Sequence, residues 1–456
     1  TTGQLDAGSS GAGKGGDITV DAQGGNILVT SNINADGGVG GGGAVNLTSN
    51  NGSITVQGTI NTSGFFSAGG DITLGATNEI NTGQIDSTGV SGGAIFLSTN
   101  GNISTGQIDS FGESISGIDD TLGGTIELTS NNGAITVQGN LNASASTDEG
   151  TANAGNITLI SGSDITIDGD GVFASTNNGN GGNIYFEAVG DVDVGDVDTG
   201  EFLEANVGGN ITITSNNGSI TTENLDAGGS NQGGTVFLDA ASNITISSDI
   251  TTASGDAGGD ITLISQGGTI DIDGFLSSNT EADIGGKITL TAAGDIKTGS
   301  GINRSFTLSG GRAGDIEITS GGNINATLGS QCGSSSICDI SASGDEGGNI
   351  TLNAAGDIIT AGIYANGILS TGNISLIAGG MIDTSAIFSS GGVNEGGLIS
   401  ATSENLDGNV TLEAGTTIIA GDINVSGGDI ILIGDGIDFT GGVDGTISVT
   451  SQFGDL

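Results

Sequence analysis

The sequence predicts an all-β fold: one chain wound into a parallel β-solenoid, three short strands per turn, about 16 turns of about 27 residues. Three observations carry this expectation. A short phrase recurs down the chain, aliphatic and polar residues alternate inside it, and proline is absent while glycine numbers 92. The phrase is a glycine pair or near equivalent, a polar residue, then Ile or Val, a residue that is usually polar, and an aliphatic. Gly69-Gly70-Asp71-Ile72-Thr73-Leu74 and Gly259-Asp260-Ile261-Thr262-Leu263 are two copies. Their leading aliphatics are Ile18, Val45, Ile72, Ile95, Ile126, Ile157, Ile184, Ile211, Val236, Ile261, Ile288, Ile316, Ile350, Ile374, Ile399 and Ile430.

The first strand of a turn is the phrase itself, as in Ile211-Thr212-Ile213-Thr214. A period of two buries one face of a strand. The second strand is a shorter run, Ser219-Ile220-Thr221, and the third is Asn224-Leu225-Asp226. The corner between first and second strands recurs nearly unchanged from Thr48 to Gly58 (TSNNGSITVQG) and from Thr129 to Gly139 (TSNNGAITVQG), which marks one repeated turn. A strand flanked on both sides needs every N–H, which accounts for the missing proline. One turn alone buries too little to fold, so stability belongs to the array. Residues 1–456 are therefore expected to form a single repeat domain. Thr2-Gly3-Gln4-Leu5-Asp6 matches the third-strand phrase Thr82-Gly83-Gln84-Ile85-Asp86, so a segment of a longer polypeptide is expected.

The longest interval, Ile316 to Ile350, implies an inserted loop at 329–340 containing Cys332 and Cys338. They close it as a disulfide, which would indicate an oxidising compartment, or remain two free thiols. With no histidine in the chain, two thiolates do not complete a zinc shell.

A net charge of -47 argues against nucleic acid and anionic membrane surfaces as partners. No apolar run is long enough to insert in a membrane. The acidity reads either as a solvated surface or as carboxylates bridged by divalent cations. The best local cluster is Asp191, Asp193, Asp196 and Asp198, which could hold Ca²⁺ or be plain surface charge. A shift of 27 residues sets Asp168 and Asp170 beside Gly195 and Val197.

In-register turns place Asp17, Asp71, Asp260 and Asp315 in one outward column. None of these four has an aspartate neighbour, and Lys287 falls between the last two, an interleaving that limits repulsion. The next column is mostly threonine, which suits an exposed strand and is an alternative to an ice-binding array. Phe96, Tyr185 and Phe237 interrupt it; they stack on sugars or a partner, or lie beneath a corner loop, the reading favoured here. A catalytic constellation could form only where Lys287, Lys297, Arg304 and Arg312 approach Asp295 and Asp315, and pairing within an acidic surface explains those cations without catalysis.

The stretches Gly347 to Ile358 (GGNITLNAAGDI) and Gly285 to Ile296 (GGKITLTAAGDI) resemble the repeat region of filamentous-haemagglutinin-like exoproteins of Gram-negative bacteria and cyanobacteria. That resemblance implies right-handed winding, export by two-partner secretion, an extracellular or cell-surface location and a role as adhesin or filament. It carries over no catalytic residues. The expected function is a structural and adhesive rod without catalysis, with no cofactor unless Ca²⁺ binds, and with surface glycans or neighbouring filament segments as partners. The alternatives are a polysaccharide-acting β-helix enzyme and a calcium-dependent self-assembling surface layer.

Overall fold

A computed structural model describes residues 1–114, 120–200, 206–280, 284–299, 302–303, 311–326, 340–370 and 372–389, and the strand backbones Val410–Ala414, Thr417–Ile433, Gly436–Phe439 and Val443–Thr450. All secondary structure among these residues is β, and the long ladders are parallel. Contacts gather into two compact units, Thr1–Ser230 and Asn231–Leu456.

In the first unit each turn contributes one strand to each of three parallel sheets. The first sheet contains Ile18–Ala22, Val45–Ser49, Ile72–Ala76, Ile95–Thr99, Ile126–Ser130, Ile157–Ser161, Ile184–Ala188 and Ile211–Ser215. Their leading aliphatics pair in unbroken register from Ile18 to Ile211. The second sheet stacks Ile27–Val29 on Ile54–Val56 and Ile80–Thr82, and the third stacks Leu5–Asp6 on Ile33–Asn34 and Ile60–Asn61. Burial alternates along the strands as the period of two requires. In Val45–Ser49, Val45, Leu47 and Ser49 are buried while Thr48 is exposed.

The second unit repeats the plan with Val236–Ala240, Ile261–Ser265, Ile288–Ala292, Ile316–Ser320, Ile350–Ala354 and Ile374–Ala378 in its first sheet. The expected column then changes. Val410 pairs with Ile374, Ile430 with Val410, and Ile447 with Ile430. The place assigned to Ile399 is thus taken by Val410, and residue 399 lies outside the described residues. The cysteines at 332 and 338 lie outside them too, with all of the expected loop at 329–340 except Ile340, which instead opens the strand Ile340–Ser341.

Buried polar side chains satisfy corner carbonyls. Ser49 Oγ donates to Gly25 O at 2.8 Å, Ser130 Oγ to Gly101 O at 2.6 Å and Ser215 Oγ to Gly190 O at 2.6 Å. Each hydroxyl ties the end of a first strand to a corner of the preceding turn, giving a partner to a part-buried carbonyl.

The Asp or Asn before a strand does the reciprocal task for amides. Asp17 Oδ1 accepts from Ala44 N at 2.9 Å, Asn156 from Asn183 N at 2.8 Å, and Asn183 from Asn210 N at 2.9 Å. The same ladder runs at the second corner through Asn26 and Ser53 N, and at the third through Asn32 and Thr59 N. The recurring GGD and GGN of the repeat is therefore an acceptor placed for the next turn's N–H. Charge interleaving holds in the column, but hydrogen bonding is the reason Asp and Asn occupy it.

Candidate functional site

The third strand of each early turn ends in Asp or Asn, and at Asn61, Asp86 and Asp109 the side chain accepts the N–H two residues on. Asn61 Oδ1 accepts from Ser63 N, Asp86 Oδ1 from Thr88 N and Asp109 Oδ1 from Phe111 N, at 2.9 to 3.2 Å. These Asx turns launch the loops that lead back to the first sheet. The next residue is glycine in four successive turns. Gly37 pairs with Gly64 and Gly89 with Gly112 as parallel bridges, and Gly64 N donates to Thr88 O at 2.8 Å, joining the two pairs. A Cβ on Gly37 would collide with the carbonyl of Gly41, and one on Gly112 with that of Leu122. The glycines allow each loop to close against its own return.

Three of these glycines, Gly37, Gly64 and Gly89, line a groove of about 700 Å³. Residues on either side of the glycines complete the lining: Asp36, Ser63, Thr88 and Phe111 before them, and Gly38, Val39, Phe65 and Glu113 after them. Phe65 is 62% exposed and Phe66 51%, and their rings meet edge to face with centroids 4.5 Å apart. Two residues before Phe111, burial pushes the Asp109 carboxyl up to about 6; the Phe111 N–H pulls it down, Asp86 in the adjacent turn raises it, and the Asn142 amide lowers it. The arrangement offers apolar ring faces, hydroxyls and carboxylate acceptors along one open track.

The four aspartates considered as calcium ligands occupy separate parts of one turn. Asp191 is an exposed corner residue whose Oδ1 accepts from Ser219 N at 2.7 Å, and Asp193 faces outward between Thr166 and Thr221. Asp196 Oδ1 accepts from Asn224 N at 3.0 Å, while Asp198 Oδ1 holds Gly200 N at 2.9 Å. Burial pushes Asp198 up to about 6, with Asp226 of the next turn raising it further; burial raises Asp226 as well. Among the described residues no three His, Cys, Asp or Glu side chains form a group suited to a metal ion. The assumed offset of 27 is also corrected. Val197 pairs with Val172, an offset of 25, because the intervening loop is shorter.

The described cations pair with carboxylates: Lys14 with Asp17 at 3.5 Å, Lys287 with Glu317 at 2.6 Å, Lys297 with Asp271 at 3.8 Å and Arg312 with Glu346 at 3.9 Å. They are spread over several turns, and residue 304 lies outside the described residues. Phe96 and Tyr185 remain 37% exposed, against the expectation of rings lying beneath a corner loop; the Tyr185 hydroxyl donates to Glu187 at 2.7 Å.

Sequence reasoning passed over the groove, although a signal was present. Asn34-Ala35-Asp36-Gly37, Asn61-Thr62-Ser63-Gly64, Asp86-Ser87-Thr88-Gly89 and Asp109-Ser110-Phe111-Gly112 share one pattern of Asx, small residue, variable residue and glycine. No family model, characterised protein or solved structure matches the chain.

Proposed function

We propose that this chain is a structural and adhesive segment of a secreted or cell-surface protein, working through its lateral surfaces and without catalysis. The observation that carries this reading is the use made of its carboxylates. Asp17, Asp71, Asp164, Asp191 and Asp196 each accept a backbone N–H from the following turn, so their chemistry goes into holding turns together. The ion pairs absorb the described cations in the same way. The groove is open and lies on stacked loops, a form suited to holding a ligand at the surface. The likeness of the GGNITLNAAGDI stretch to filamentous-haemagglutinin-like repeats supports an extracellular setting.

The test is to incubate the purified chain with neutral and anionic polysaccharides, following retention on immobilised glycan and release of reducing ends or unsaturated products. Retention without product formation is expected. Steady product release, lost on Asp36→Asn or Glu113→Gln, would establish a polysaccharide-acting enzyme instead.

A further inference from the structure

We propose that the glycine-lined groove binds a neutral, extended polysaccharide lying along the direction in which the turns stack. This deepens the adhesive reading and rests on it. The first argument is chemical. Exposed aromatic rings are matched by the apolar faces of pyranose rings, and the exposed Phe65 and the half-buried Phe111 both line the groove. Between them Ser63 and Thr88 bring hydroxyls, and Asp36 and Glu113 bring carboxylate acceptors for sugar hydroxyls.

The second argument is geometric. Equivalent lining positions recur at the strand spacing of about 4.8 Å, close to the rise of one sugar in an extended glycan. A repeating polymer can therefore meet a repeating lining one sugar per turn.

Charge selects among polymers. Both ionisable side chains of the groove are acidic and the whole chain carries -47, so polyanions are repelled. A basic peptide fits less well. Asp36 and Glu113 stand three turns apart along the stack, about 14 Å at the strand spacing, too far to clamp one cation together. The lining between them is uncharged.

The experiment uses the full 456-residue chain and isothermal titration with cellohexaose, laminarihexaose and maltohexaose, with hexagalacturonate and hexalysine as charged controls. At least one neutral hexasaccharide is expected to bind and hexagalacturonate is not. Phe65→Ala should weaken binding at least about tenfold, the equivalent of about 1.4 kcal/mol. Phe65→Trp should retain it, and Phe96→Ala, outside the groove, should leave it unchanged. Phe65 is exposed, so its loss leaves the core intact. The proposal is overturned if no neutral hexasaccharide binds, if Phe65→Ala binds as well as the parent, or if hexalysine binds in a Phe65-dependent way. Binding that ignores Phe65 removes the groove but leaves the adhesive reading standing; hydrolysis of the sugar removes the adhesive reading.

Discussion

Replacing Asp109 by Asn should stabilise the protein at neutral pH, against the usual cost of altering a half-buried residue. The carboxyl sits at about 6 against an ordinary 3.8, raised first by burial and further by Asp86 in the preceding turn. At 1.36 kcal/mol per pKa unit, ionising it in the folded state costs about 3 kcal/mol, and partial exposure reduces this to about 1–2 kcal/mol. Because the folded pKa lies above the unfolded one, the native state binds the extra proton between about pH 4 and 6. This stability is therefore complete below about pH 4 and lost as pH rises through 6. Asparagine keeps the necessary acceptor: Asn61 and Asn142, at equivalent places in other turns, hold Ser63 N and Ser144 N at 2.9 and 3.0 Å. Urea unfolding followed by circular dichroism at pH 4 and pH 7.5 tests this. Asp109→Asn should lie above the parent by about 1–2 kcal/mol at pH 7.5, with the gap closing towards pH 4. A variant less stable at pH 7.5, or a gap independent of pH, would refute the reasoning.

Thr82 Oγ1 is buried without a hydrogen-bond partner, and Val56 holds the stacked position one turn earlier, so Thr82→Val should stabilise by about 1–2 kcal/mol in the same urea assay. Ile211→Asp or Ile261→Asp, at fully buried sites, should cost about 4 kcal/mol or more, while Thr212→Ser should change stability by less than about 0.5 kcal/mol; equal effects would mean the faces are misassigned. Asp191→Ala strands Ser219 N and should cost about 1–2 kcal/mol, whereas Asp191→Asn should be nearly neutral because Asn26 and Asn102 fill the same ladder role. A rise in the unfolding midpoint at millimolar calcium that Asp191→Asn abolishes would instead assign that carboxylate to a metal.

How far the site could be read before the fold was known differs from residue to residue. Asp191 and Asp196 are evident as an acidic run, but their roles depend on Ser219 and Asn224, about one turn ahead, whose amides they accept. The adjacent carboxylates of Asp86 and Asp109, or Asp198 and Asp226, become visible only once turns of unequal length are aligned. Phe65 and Phe111 likewise stand in the sequence as unrelated aromatics, since their separation of nearly two turns conceals that they face one track.

By itself the sequence determined the winding: alternating burial is local, repeats in every turn, and forced Ile18, Val45, Ile72 and their successors into one internal stripe whatever the loops did. Tertiary structure alone decided which outward residues became neighbours, because loop length sets the register between turns and leaves no trace in hydrophobic periodicity. It placed Val410 on Ile374, set Val172 beside Val197, and brought two phenylalanines from different turns to the lining of one groove.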